Sequence, residues 1–118
     1  MRNIRRMLSM TALFGVLLAP VAVSADDSKL VEEGKKLSFD KKKGNCLACH
    51  MIMGGDMPGN IGPPLIAMKA RFPDLATLRA QIADPRTLNP NTIMPPFGAH
   101  GILTDDELDK VAAFVHSL

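Results

Sequence analysis

The sequence predicts an all-α domain in which three or four short helices are joined by long loops. Apolar residues recur at helical spacing in several stretches, and no stretch alternates as a half-buried strand would. Between them lie segments crowded with glycine and proline, longer than a small domain normally carries unless they enclose something. The third observation says what they enclose. Cys46-Leu47-Ala48-Cys49-His50 has the spacing of covalent c-type haem attachment. Residues i and i+3 share one face of a helical turn, so both thiols can meet the two vinyl groups on one porphyrin edge. The histidine that follows turns its imidazole to the iron as proximal ligand.

Two other uses of a CxxC pair fit the chain poorly. Thiol–disulfide chemistry usually sits in a βαβ setting, and none is legible here. A structural zinc needs four ligands, and the chain has only these 2 cysteines.

Taken in order, the chain opens with Arg2, Arg5 and Arg6, an apolar run from about Thr11 to Val23, and the small residues Val23-Ser24-Ala25. That is the pattern of a secretory signal. The run is shorter than the ~20 apolar residues that span a bilayer, so removal is favoured over anchoring. Residues 1–25 are therefore expected to be a cleaved signal, and 26–118 one small periplasmic domain without a membrane anchor. The formal charge of +2 comes from 14 basic against 12 acidic residues. The signal holds three of those arginines and no acid, so the remaining balance is −1 and gives no argument for nucleic acid. A domain this small builds a modest core and often needs a staple. With both cysteines committed to porphyrin, the haem itself must complete the core.

The first helix is expected from Ser28 to about Lys43, with Leu30, Val31, Leu37 and Phe39 as apolar positions. Gly34 in its middle costs up to ~1 kcal/mol against alanine, which implies a close helix crossing. Lys41, Lys42 and Lys43 follow, read as a solvated cationic helix end rather than a steering patch. Residues 51–64 are too rich in Gly and Pro for a regular element. A short helix over Leu65–Arg71 is expected, then one from Asp74 as N-cap to about Ala83, with Leu75, Leu78 and Ile82 on one face and Asp84-Pro85 as its end. Residues 85–99 return to loop. The last helix carries the clearest signals: Thr104 with Glu107 as a capping box, and Leu108, Val111, Ala112, Val115 and Leu118 at helical spacing.

Iron then needs a sixth ligand or an open site. Met94, in Asn91-Thr92-Ile93-Met94-Pro95-Pro96, is the best candidate, because Pro95 stiffens its backbone and keeps it out of the helical region. His100 is the main rival. His116 falls in the last helix and reads as exposed or partly packed. Met51, Met53 and Met57 are soft enough for Cu(I) but are expected to line the haem edge. A metal-bound histidine usually donates its second N–H to a fixed acceptor. The Pro63 carbonyl in Gly62-Pro63-Pro64-Leu65 could serve, or the segment could be a plain turn. The chain has no Trp and no Tyr, so Arg71, Arg79 or backbone N–H groups must hold the haem propionates.

The order of Gly34 helix, CxxCH, Gly62-Pro63-x-Leu65, late methionine and C-terminal helix resembles the class I cytochromes c over the whole of 26–118. That resemblance implies one haem c on Cys46 and Cys49, ligands His50 and Met94, a Pro63 carbonyl orienting His50, and Gly34 crossing the last helix near Phe114. More narrowly, Gly44–His50, Gly59–Leu65 and Asn89–Gly98 with its Ile-Met-Pro-Pro-Phe-Gly run resemble the monohaem subunits of the sulfur-oxidation SoxAX complexes.

Membership there implies a haem-containing SoxA-like partner, in a complex that couples thiosulfate oxidatively to a carrier-protein cysteine (an L-cysteine S-thiosulfotransferase). The chain would accept the electrons released and pass them to a downstream cytochrome or oxidase, without being catalytic itself. The residues agree with that division. No thiol remains as a nucleophile, and a haem with both axial positions filled has no open site for substrate. The alternative is a free-standing periplasmic electron shuttle of the same fold.

Overall fold

A computed structural model describes residues 24–118. The expected signal therefore lies outside the described residues, apart from Ser24 and Ala25. Four α-helices and two single 3₁₀ turns make up the regular structure, with no strand among the described residues. They are α1 (Ala25–Phe39), α2 (Met68–Arg71), α3 (Leu75–Ala83) and α4 (Asp105–His116). One 3₁₀ turn covers Cys46–Ala48 and the other Pro85–Thr87.

The two terminal helices cross, and Gly34 is where they cross. A Cβ on Gly34 would stand 1.9 Å from the Lys110 carbonyl oxygen of α4. Glycine is retained here because backbone meets backbone, which outweighs its poor helix propensity. Next to the crossing, the rings of Phe39 and Phe114 meet edge to face, 5.9 Å apart and inclined 85°. Lys110 adds ion pairs from α4 to Glu33 on α1 (3.0 Å) and to its own Asp106 (2.6 Å).

α1 differs from expectation at both its ends and its inner face. It stops at Phe39, because Asp40 caps it and the chain reverses: the Gly44 amide donates to Leu37 O and the Asn45 amide to Asp40 O. Lys41–Lys43 thus form turns, not a helix end. Its buried residues are Gly34 and Ser38, whereas Val31, Leu37 and Phe39 pack only partly. Ser38 is fully buried and satisfies its hydroxyl on the Gly34 carbonyl at 2.8 Å.

α2 is shorter than the 65–71 stretch expected. It is tied down by the Met68 amide, which donates to Leu118 O at 2.9 Å. In α3 the Asp74 carboxylate caps the first turn through the Thr77 amide at 2.8 Å. Leu78 and Ile82 are buried, but Leu75 is 41% exposed, so it does not share their inward face. The first turn of α3 lies at the rim, and its later residues Leu78 and Ile82 reach the core. α4 carries the capping box as expected: the Glu107 amide donates to Thr104 Oγ1, and the Thr104 amide to Glu107 Oε2. Leu108, Val111, Ala112, Phe114 and Val115 are its buried face.

Candidate functional site

Cys46 begins the 3₁₀ turn, entered through Asn45 at φ 47° in the left-handed region. Such a turn has three residues per turn, so positions i and i+3 eclipse and both cysteines come onto one side. The Cys49 and His50 amides both donate to Cys46 O, at 3.2 and 2.9 Å. The Cys46 thiol is pushed up to about 11, first by burial, with the Ser38 hydroxyl partly offsetting it. A redox CxxC works by the opposite shift, a depressed thiol pKa.

The glycine-rich segment after the motif folds back along it. The Gly59 amide donates to Leu47 O, Gly62 to Cys49 O and Leu65 to Met51 O. This return brings Pro63 O to 2.7 Å from His50 Nδ1. A carbonyl only accepts, so Nδ1 carries the proton and Nε2 keeps its lone pair. Gly62 presses on the same ring: a Cβ there would lie 2.5 Å from His50 Cε1 and 2.6 Å from Nδ1. The imidazole is thus held by one hydrogen bond and one flat backbone contact.

Met94 is half-buried, and its amide donates to Thr92 Oγ1 at 3.1 Å. Its loop ends against α3, where Gly98 and Ala99 amides both donate to Ala83 O at 3.0 and 3.2 Å. Pro96 and Phe97 are buried beneath it.

Cys46, Cys49, His50 and Met94 all line one cavity of about 510 Å³. Its apolar wall includes Leu65, Met68, Leu78, Ile82, Phe97 and Val111 from α2, α3, α4 and the loops. Volume and lining suit a large, flat, mostly apolar group. The donor set, two thiols with one imidazole and one thioether, suits a tethered iron porphyrin. A further sign is Gln81, which lines the cavity with its Oε1 buried and unpartnered among the described residues. A buried polar atom without a partner is rare, and a half-turn of the carboxamide would turn its N–H to a carboxylate of a bound group. The residues fit haem c.

The other candidates lie elsewhere. His100 is exposed, and His116 bonds the Phe72 carbonyl at 3.0 Å. Neither lines the cavity. Met51, Met53 and Met57 are 47%, 79% and 95% exposed and do not line it either. The expectation that they edge the haem is corrected. The returning loop turns its Pro63 end inward and leaves these side chains on its outer side. Arg79 is held by Asp105 and Asp109, away from the cavity, whereas Arg71 lines it and donates to Pro64 O at 2.9 Å. Lys41 and Lys43 also line it, with Lys43 paired to Glu107 at 2.7 Å. Sequence reasoning missed Lys41 and Gln81 as cavity residues.

Residues 31–118 match the family model described as Cytochrome c. The chain belongs to the cytochrome c family. It carries covalent haem c through Cys46 and Cys49 of its CxxCH motif, on an all-α class I fold, and serves electron transfer. The cytochrome is also SoxX-like. It superposes on a chain of the crystal structure of SoxXA from P. pantotrophus with a TM-score of 0.66 and 29% identity, covering 73% of this chain and 79% of that one. An uncharacterized lipoprotein of Aquifex aeolicus (strain VF5) is 38% identical over 79 residues, 64% of this cytochrome. The match spans only 37% of that relative's length. Among the described residues no helix of the cytochrome is long and apolar enough to cross a membrane.

Proposed function

We propose that this cytochrome is the electron-transfer subunit of a periplasmic thiosulfate-oxidising complex of the SoxAX kind. It pairs with a haem-containing SoxA-like subunit and takes up the electrons released as thiosulfate is joined to a carrier cysteine. The observation that carries this reading is His50 and Met94 lining one cavity in a chain 29% identical to a SoxXA chain. On this reading residues 1–25 are an export signal, and the domain begins at Asp26.

Haem c, when bound, supplies one-electron exchange at its iron. Cys46 and Cys49 would hold it by thioether bonds, so it could not dissociate as a free ligand. His50 presents Nε2 because Pro63 O holds the proton on Nδ1. Met94 would present its thioether from a loop that Pro95 and Pro96 stiffen, at low cost in conformational entropy. With His50 and Met94 as its ligands and both cysteines committed to the porphyrin, the haem would leave no thiol nucleophile and no open site for the sulfur substrate in this chain. The nucleophile and the sulfur site therefore belong to the partner.

The test is native. Tagged at its C-terminus and purified from its own host, the protein should bring a stoichiometric haem-containing partner, and thiosulfate should reduce the haems. A lone monomer that no thiosulfate-oxidising fraction reduces would leave a free electron shuttle instead. The same preparation tests the export signal, since mass spectrometry should find Asp26 as the first residue.

The ligand assignment has its own test. Met94→Ala should change the optical spectrum and lower the reduction potential, because methionine ligation raises it. An unaltered spectrum would remove Met94 from the iron.

A further inference from the structure

We infer that Met51, Met53 and Met57 form a binding site for a single Cu(I) ion, held by their thioether sulfurs on the outer side of the loop that follows the haem motif. The site is separate from the haem cavity and does not depend on the partner proposed above.

Methionine belongs to interiors, and one apolar side chain standing alone on a surface needs no account. Three methionines on one short loop, all exposed, do. Met68 is buried and Met94 lines the haem cavity, so the chain uses its other described methionines for packing and for the site.

The backbone carries the three around one bend and fixes it at both ends. The Met51 carbonyl accepts from the Leu65 amide at 2.9 Å, and Ile52 is sunk in the core at 1% exposure. The Gly55 amide donates to Ile52 O at 3.1 Å and closes a turn through Met53 and Gly54, with Gly54 at φ 80°. The chain then returns to the motif, where the Gly59 amide donates to Leu47 O at 2.7 Å. Met57 stands on that return at φ 47°. Methionine rarely takes this left-handed conformation, and the following Pro58 favours extended backbone instead. Strain of this kind gathers at ligand clamps. A closed turn keeps its ends within about 7 Å. Each methionine side chain has three rotatable bonds, so the sulfurs can converge on one ion.

The donor type chooses the metal. Thioethers are soft and neutral, and they select Cu(I) over hard cations such as calcium or magnesium. Among the described residues no group of three or more His, Cys, Asp or Glu offers a rival metal site. The surrounding charges favour a monovalent ion. The Lys35 ammonium comes to 4.0 Å from where a Gly54 Cβ would stand, and it would repel a divalent ion more strongly. Asp56, between Met53 and Met57, is exposed and makes no ion pair among the described residues, so it can offset a single charge.

The experiment adds Cu(I) to the holocytochrome with isotope-labelled methionine methyl groups, anaerobically and with ascorbate, so that ferrous haem and Cu(I) are both diamagnetic. The methyl signals of Met51, Met53 and Met57 should shift together and stop once each protein holds a single ion, while those of Met68 and Met94 stay in place. Met53→Leu and Met57→Leu each keep the bulk and remove one sulfur. Both side chains are exposed, so the variants should fold and keep the wild-type haem spectrum. Losing a group that only supports a ligand costs about tenfold in metal affinity, so losing a ligand should weaken Cu(I) binding by about tenfold or more.

Leucine variants that bind Cu(I) as tightly as wild type would overturn the inference, and so would loop signals that keep shifting without saturation. A saturating shift in the ring signals of the exposed His100, with the loop methyls unmoved, would also overturn it by placing the copper on an imidazole.

Discussion

The imidazole of His50 is positioned by two residues that act in different ways. Pro63 holds one ring nitrogen through a 2.7 Å hydrogen bond, and Gly62 leaves the ring a flat surface to lie on. Gly62→Ala would put a methyl group 2.5 Å from His50 Cε1, so the ring or the loop must move. The expected outcome is a holoprotein with a shifted reduction potential and a lower melting temperature, read by redox titration and thermal scan. Unchanged values in both would mean that the loop yields freely. The motif chemistry was legible at this scale, because CxxCH spacing is set by the porphyrin itself. Arg79 was not, since its engagement with Asp105 and Asp109 is settled by residues 26 and 30 positions away.

At the scale of elements, the crossing of α1 and α4 reverses a propensity rule. In an open helix Gly34→Ala would stabilise by up to ~1 kcal/mol. Here the added Cβ meets the Lys110 carbonyl at 1.9 Å, and overpacking of this kind costs about 1–3 kcal/mol. Chemical denaturation of the holoprotein should therefore show destabilisation. A gain would mean that the helices do not approach so closely.

The cap of α4 makes a second prediction at this scale. The Glu107 carboxyl is held below its ordinary 4.5, first by the Lys43 ammonium and then by the Thr104 amide. A depressed carboxyl adds stability above its unfolded value and loses it as the pH falls through the lower folded value. Glu107→Gln should thus be less stable than wild type at neutral pH, with the gap closing in acid. A gap that stays constant down the pH scale would contradict the pairing. Helix ends with side-chain caps, at Asp74 and Thr104, were readable from the sequence because cap and helix are neighbours in the chain. The end of α1 was not, because it depends on how residues 40–45 reverse towards the haem motif.

For the whole molecule, the cavity of about 510 Å³ lies among the same apolar residues that form the core. Filling it is part of folding. A chain with Cys46→Ala and Cys49→Ala, expressed without covalent haem, should lose cooperative unfolding and much of its helicity by circular dichroism, since a domain this small has little core to spare. A sharp thermal transition in that variant would show that the four helices hold together unaided.

What the sequence determined by itself is the chemistry, because each part of it is local. The spacing of two thiols and an imidazole, a methionine before two prolines, and the patterned helices all act over a few residues. What only the tertiary structure decided is which side chains meet inside. It turned Met51, Met53 and Met57 outward, took Arg79 to α4, and brought Lys41, Arg71 and Gln81 to the cavity. Those placements follow from loop returns and helix crossings between distant parts of the chain, where neighbouring residues carry no signal of the contact.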